Sequence, residues 1–267
     1  MKLYSNISII NFFIIFIISR MKDIIKKSCL FSSKVYDSDI EIPTCNKYEL
    51  YQDLKTDSQM LIVEYDNQIY FVFRGTDSFI DVEYNLSTDK ISFENVCSVH
   101  EGFYEQFISL VDHIQSYVND TTTKQIIFTG HSLGGALATI ASLYFSIHHP
   151  TIRTKIYCVT FGSPRVGTKK FKKIYNKHVI NSYRFVNHND PIPKLPPKIM
   201  SFSHVHSATY FNNNKSKNNI MSSTIFAKIQ LFIRNIFDFI FRKLFVNNNI
   251  VKAHSTTLYL ENINKHF

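Results

Sequence analysis

The sequence predicts an α/β fold: a mainly parallel central sheet with helices on both faces. Three observations lead there. Apolar, β-branched and aromatic runs of strand length alternate with segments whose apolar residues recur at helical spacing. One such run, Ile126-Ile127-Phe128, passes through Thr129-Gly130-His131-Ser132-Leu133-Gly134-Gly135 into Ala136–Leu143, a stretch of good helix formers with no breaker. A chain of 267 residues with 45% hydrophobic content is also large enough to bury one substantial core.

Met1 to Ser19 carries a lysine near its start and then an apolar run from Ile7 to Ile18 broken only by Asn11. That resembles the n-region and h-region of a secretory signal, and it is short for a bilayer span. Ser19-Arg20-Met21-Lys22 offers no small-x-small cleavage site. A cleaved signal, an uncleaved membrane anchor and a buried first helix therefore all stand, with the secretory route the favoured destination. The expected organisation is residues 1–19 as signal peptide or anchor, 20–267 as a single domain, and an amphipathic insert at about 212–249.

Residues 20–58 read as a helix and a connecting loop. Met60–Tyr65 and Ile69–Phe73 are strand-like and are joined by Asp66-Asn67-Gln68, giving a hairpin. The second run ends at Arg74-Gly75-Thr76-Asp77, where the chain must leave the sheet edge. Phe103, Phe107, Leu110, Val111, Ile114 and Val118 recur at helical spacing and read as core packing. Lys155–Phe161 is a further buried strand ending at Gly162-Ser163-Pro164-Arg165-Val166-Gly167. Ser182–Asn187 is another, followed by His188-Asn189-Asp190-Pro191. In parallel sheets functional groups gather beyond the carboxyl ends of the strands. The turn at Ser132 and the turn at Asp190 both fall at such ends.

The formal charge of +9 is compatible with an anionic membrane or with plain solubility, and no nucleic-acid-binding signature accompanies it. Lys169-Lys170-Phe171-Lys172-Lys173 reads as a solvated helix face, with binding to anionic lipid left open. Cys29, Cys45, Cys97 and Cys158 lack metal-like or redox-like spacing, and no metal or cofactor is expected. Cys158, inside a core strand, reads as a buried thiol.

Strand, Gly-x-Ser-x-Gly and helix together describe a nucleophile elbow, a turn too tight for side chains at Gly130 and Gly134. A serine hydroxyl needs a base within hydrogen-bond reach, and the base an acid. Only three carboxylates follow Ser132: Asp190, Asp238 and Glu261. Asp190 alone lies in a turn directly after a core strand, where a fixed acceptor can be built. The downstream histidines are His148, His149, His178, His188, His204, His206, His254 and His266. His148 and His149 end the elbow helix and His188 is too near Asp190, while His204 and His206 stand before the strand-like Ala208–Phe211 and His254 comes late, before Thr256–Leu260.

At this point the residues resemble a known family, the class 3 (fungal-type) lipases of the α/β-hydrolase fold. The matching stretches are Phe73–Thr76, Val99–Phe103, Thr129–Gly135, Val159–Gly167, Asn189–Pro193 and Ala253-His254-Ser255. The resemblance implies carboxylic-ester hydrolysis of acylglycerols or polar lipids without a cofactor, at a lipid–water interface or membrane surface. It favours His254, late in the chain, as the base, with His204 the runner-up. The oxyanion donors are expected at the backbone N–H of Leu133 and of Thr76. Arg74 reads as a structural pin for the Thr76 loop.

Two stretches depart from the family pattern. Asp77–Ile91 is acidic and lacks the apolar lid helix of fungal members. Between Asn-rich tracts, residues 225–245 place Lys228, Asn235, Asp238 and Arg242 on one stripe of an otherwise apolar helix, expected to be an interfacial helix or lid, or an ordinary packed helix. A catalytically silent lipid-binding homologue is the reading from another class, and a phospholipase A1 or galactolipase the alternative within enzymes. Oligomeric state has no signature in the sequence.

Overall fold

The computed structural model of the chain describes residues 2–42, 44–75, 89–119, 122–211 and 252–267, with side chains from residue 15 onwards. Lys2–Lys34 is one helix, α1. Lys47–Asp53 (β1), Ser58–Tyr65 (β2) and Gln68–Phe73 (β3) form an antiparallel meander. Lys90–Phe93 (β4) and Cys97–His100 (β5) pair antiparallel and lead into α2, Glu101–Gln115. Gln125–His131 (β6) then turns into α3, Leu133–His148, which returns the chain to Ile156–Phe161 (β7). Gly167–Thr168 (β8), helix α4 over Lys169–His178, and Asn181–Asn187 (β9) follow. Phe202–Ser203 (β10), Ala208–Phe211 (β11) and the terminal helix α5, Thr256–His266, complete the described elements.

The main sheet has the order β1-β2-β3-β6-β7-β9-β11, and every pairing from β3 to β11 is parallel. Parallel strands need cover on both faces. β3 is buried at every residue and β6 at all but its first. Alternate residues go to opposite cores. Phe71, Phe73, Ile126 and Phe128 join the side formed with α2, α3 and α4. Tyr70, Val72 and Ile127 face the side closed by Ile24, Ile25, Cys29 and Phe31 of α1 and by Tyr259 and Ile263 of α5. At roughly 25 cal/mol per Å² of apolar surface, these interdigitated aromatic and aliphatic layers dominate the stabilisation.

The expected boundary after Ser19 falls inside α1, which runs without a break. Ile24, Ile25, Cys29 and Phe31 are buried on the sheet, whereas Ile15, Phe16, Ile17 and Ile18 are 50–67% exposed. No helix among the described residues is long and apolar enough to cross a membrane.

Two features differ from expectation. Residues 47–53, read as loop, are an edge strand; its exposed Lys-Tyr-Glu-Leu-Tyr-Gln-Asp sequence has only half-buried alternate residues and no apolar run to announce it. A second sheet, ordered β10-β8-β5-β4, is built from strands of two to four residues, too short to leave a periodic signal. The four cysteines are free, Cys158 buried in β7 as expected. The insert at 212–249, Thr76 and residues 77–88 of the segment after it lie outside the described residues.

Candidate active site

Ser132 sits between β6 and α3 at φ 58°, ψ −128°, a left-handed conformation that an L-residue adopts only under constraint. The constraint is visible on both sides. A Cβ at Gly130 would lie 2.4 Å from Gly134 O, and one at Gly134 would lie 2.0 Å from Phe73 O. Glycine at these two positions is thus a steric requirement of the turn, as the motif implied. The Ser132 N–H donates to Phe161 O at 3.0 Å, tying the turn to the end of β7. As the first residue of α3, Leu133 has an amide with no intrahelical acceptor.

The next strand end supplies the junction with the other two expected groups. Gly162, directly after β7, has φ +61°, and a Cβ there would lie 2.8 Å from Asp190 Oδ2 and 3.0 Å from His254 Nδ1. Asp190, in the turn after β9, has a fully buried side chain. Its oxygens accept from His254 Nδ1 at 2.9 and 2.8 Å, from Tyr259 Oη at 2.6 Å and from the Ile192 N–H at 2.9 Å. Four contacts to one carboxylate fix its plane, and charge-assisted bonds of this kind are roughly twice as strong as neutral ones. Burial of Tyr259 and then the Asp190 charge beside it hold the phenol well above its ordinary range, so Tyr259 remains a donor.

The backbone around His254 is held as firmly as its ring. Asn187 Nδ2 donates to Ala253 O at 2.9 Å, and Asn262 Nδ2 donates to Asn187 Oδ1 at 2.9 Å. His131 Nε2 donates to His254 O at 2.6 Å, and the two imidazoles lie 4.3 Å apart. Because that nitrogen must carry the proton, His131 Nδ1 is left as acceptor toward Tyr36 Oη at 3.4 Å. Burial, reinforced by His254, holds the His131 pKa well below the ordinary histidine range, so this imidazole is neutral. Tyr36 Oη in turn accepts from the Gly75 N–H at 3.0 Å, linking α1 to the strand end that precedes Thr76.

The structure therefore brings Ser132, Asp190 and His254 to one edge of the sheet, around the Phe161-Gly162 step. His204 is engaged elsewhere. Its Nε2–H donates to Pro193 O at 2.6 Å, and burial, with Arg184 nearby, pushes its pKa down to about 3. Arg74 acts as the expected pin, Nη1 donating to Gln59 Oε1 at 2.8 Å with the guanidinium over the Tyr36 ring. Gly162, Tyr259, His131, Asn187 and Tyr36 carry positioning contacts that sequence reasoning did not assign. For Gly162 a signal existed, a glycine directly after a buried strand; for the others none did. Among the described residues no His, Cys, Asp and Glu side chains cluster in a way that would hold a metal ion. An imidazole anchored through Nδ1 on a buried carboxylate presents Nε2 as the proton-accepting atom, the requirement for activating a neighbouring hydroxyl.

A parallel sheet whose central strand turns through a strained serine into a helix, with acid and imidazole arriving later in the chain, defines the α/β-hydrolase class. Solved structures bear this out. The triacylglyceride lipase of Rhizomucor miehei superimposes with a TM-score of 0.64 at 24% identity, over 72% of this chain and 80% of that one. Lipase II of Rhizopus niveus does so with 0.64 at 22% identity, over 80% and 91%. Within that class the chain belongs to the class 3 lipase family, whose model, described as "Lipase (class 3)", matches residues 70–200. A lipase of Rhizopus niveus is 31% identical over 189 residues, 67% of this chain and 48% of the relative. A protein of Fusarium solani named secreted mono- and diacylglycerol lipase 1 is 35% identical over 112 residues, 40% of this chain and 32% of its own length. The chain spans about half the length of the Rhizopus relative and about a third of the Fusarium one.

Proposed function

We propose that this protein is a serine carboxylic-ester hydrolase that cleaves acyl esters of lipids, acylglycerols foremost, through an acyl-enzyme on Ser132. The observation that carries the reading is the buried Asp190–His254 couple abutting the strained Ser132 turn. In the first half-reaction Ser132 Oγ attacks the acyl carbonyl while its proton passes to His254 Nε2. Asp190 holds the imidazole through Nδ1 and stabilises the imidazolium. Collapse of the tetrahedral intermediate breaks the bond to the alkoxy oxygen, which takes the proton from His254 and leaves as the alcohol. Water then repeats the sequence on the acyl-enzyme and releases the fatty acid.

The developing oxyanion is assigned to the amides of Leu133 and Thr76, the first at the positive end of α3. Gly75, the last described residue before the second, supports it: a Cβ there would lie 3.3 Å from Ser132 Cβ. No cofactor is required by this chemistry. The acylglycerol assignment draws on the Rhizopus and Fusarium relatives, whose names are those of lipases and of a mono- and diacylglycerol lipase. The Fusarium relative's name also supports secretion, as does the apolar run at Ile7–Ile18. The exposed Ile15–Ile18 end of α1 supports contact of that end with lipid.

The test is a p-nitrophenyl ester chain-length series followed by emulsified acylglycerols, phospholipids and galactolipids. Ser132→Ala should lower kcat/KM by more than about 10⁴-fold. Turnover undiminished in that variant would overturn the reading. Preference for phospholipid over acylglycerol would redirect the substrate and leave the chemistry standing.

A further inference from the structure

The second sheet carries a cavity of about 470 Å³ lined by Thr168, Lys169, Lys170, Lys198, Ser201, Phe202 and Ser203. Its charged lining residues are of one sign. Three lysines and three hydroxyl-bearing residues line it, with no acidic residue among the described residues. Lys90 of β4 adds a fourth cation, its Nζ 4.7 Å from the centroid of the Phe202 ring. None of Lys90, Lys169, Lys170 and Lys198 forms an ion pair with a carboxylate among the described residues. Glu94, the acid at the far end of β4, is committed to His148 at 3.0 Å. Three like charges lining one concavity, with Lys90 beside its Phe202 wall, repel one another, and an anion entering it relieves that repulsion while hydroxyl donors complete its coordination.

The position of the cavity follows from the chain path. β8 begins six residues beyond the end of β7, and Lys198–Ser203 follow the Asp190 turn at the end of β9. Both segments lie at the carboxyl end of the main sheet, the end that carries Ser132. The remaining lysines of α4, Lys172, Lys173 and Lys177, are exposed like Lys169 and Lys170 but do not line the cavity. The sequence alone gave Lys169, Lys170, Lys172 and Lys173 as one solvated face; the fold separates them into two sets.

We infer that this cavity is a binding site for a phosphate group, a site distinct from Ser132. The volume matches a head-group-sized ligand, the ammonium and hydroxyl donors match a phosphate's acceptor oxygens, and Phe202 supplies an apolar wall for the carbon skeleton. The phosphate can be that of an anionic lipid head group at the interface or that of a soluble phosphate ester. The site stands independently of the hydrolytic reading, because it is tested by binding.

Full-length protein carrying Ser132→Ala, so that vesicle lipid is not consumed, is titrated in two arms. One uses vesicles of phosphatidylcholine alone or mixed with phosphatidic acid; the other uses glycerol 1-phosphate in calorimetry. Each arm compares the parent with Lys169→Gln/Lys170→Gln/Lys198→Gln and with Lys172→Gln/Lys173→Gln, all checked for an unchanged thermal transition. The cavity variant should lose about fivefold affinity per lysine, roughly a hundredfold in all, while the control pair loses no more than about twofold to threefold. Saturable, cavity-dependent binding in the vesicle arm alone identifies a lipid head group, and in the soluble arm identifies a phosphate ester. Equal losses per lysine in the two variants, or no binding in either arm, would overturn the inference.

Discussion

Replacing Gly162 by alanine adds one carbon at the point where Ser132's strand neighbour meets the acid–imidazole couple. That carbon would lie 2.8 Å from Asp190 Oδ2 and 3.0 Å from both His254 Cε1 and His254 Nδ1. Ordinary Cβ contacts begin at 3.4 Å, so the carboxylate must yield by roughly 0.6 Å and the ring by roughly 0.4 Å. Asp190 has little room to retreat, being held by Tyr259 Oη and the Ile192 amide. The displacement therefore falls on the Asp190–His254 bond and on the ring that must face the serine. A misplacement of about 1 Å at such a site costs ~10²-fold, so kcat is expected to fall roughly 10- to 100-fold, with KM little changed. The backbone at φ +61° adds about 1–2 kcal/mol of strain for a non-glycine residue, or a Tm lower by about 2–8 °C. The assay is soluble short-chain ester turnover with a thermal melt alongside. Gly102→Ala is the control, since its Cβ would meet only the His100 ring, at 3.6 Å and beyond. A kcat for Gly162→Ala within twofold of the parent would refute the positional argument, because it would mean the couple can move without consequence.

Other expectations concern neighbouring contacts. Tyr259→Phe removes the 2.6 Å donor to Asp190 and the acceptor of the Asn187 N–H; a charge-assisted buried bond is worth about 1.5–3 kcal/mol, so about a tenfold drop in kcat is expected. An unchanged rate would show that the remaining contacts suffice to hold the carboxylate. His204, neutral in the fold with a pKa of about 3 against an ordinary 6.5, binds its proton more readily in the unfolded chain. Stability should therefore be lost as pH falls below about 6.5, by up to about 1.4 kcal/mol per pH unit, and His204→Asn should flatten that acid limb in urea titrations at pH 7 and pH 5. Parallel pH profiles for parent and variant would exclude this contribution. Among the thiols, burial raises the pKa of Cys29, Cys97 (to about 11) and Cys158, whereas Cys45 is only half-buried. A thiol reagent should modify Cys45 first and the other three only on unfolding; rapid native labelling of several thiols would contradict the packing.

The alternation of apolar strands with helical patterns, the hairpin at residues 60–73 and the elbow at Ser132 were legible in the sequence because each rests on local chemistry: side-chain period, turn residues, glycines beside a serine. Asp190 was legible by elimination, since so few carboxylates follow Ser132. His254 was not. Choosing it over His204 needed a resemblance, because nothing near a histidine in sequence says which strand end its ring will reach. The edge strand at Lys47–Asp53 and the four-stranded second sheet also escaped, since their pairings come from the neighbours they meet and not from a pattern of their own.

What the amino-acid order determined by itself was therefore the α/β class, the strained serine turn and the acid. Only the tertiary structure decided that Gly162 must lack a side chain, that Tyr259, Asn187 and His131 hold the Asp190–His254 couple, and that Lys169 and Lys170 of one lysine-rich helix line a cavity while its other lysines do not. The His254–Asp190 and His131–His254 contacts join residues 64 and 123 positions apart in the chain. Local periodicity carries no information over such separations; packing of the sheet's two faces does.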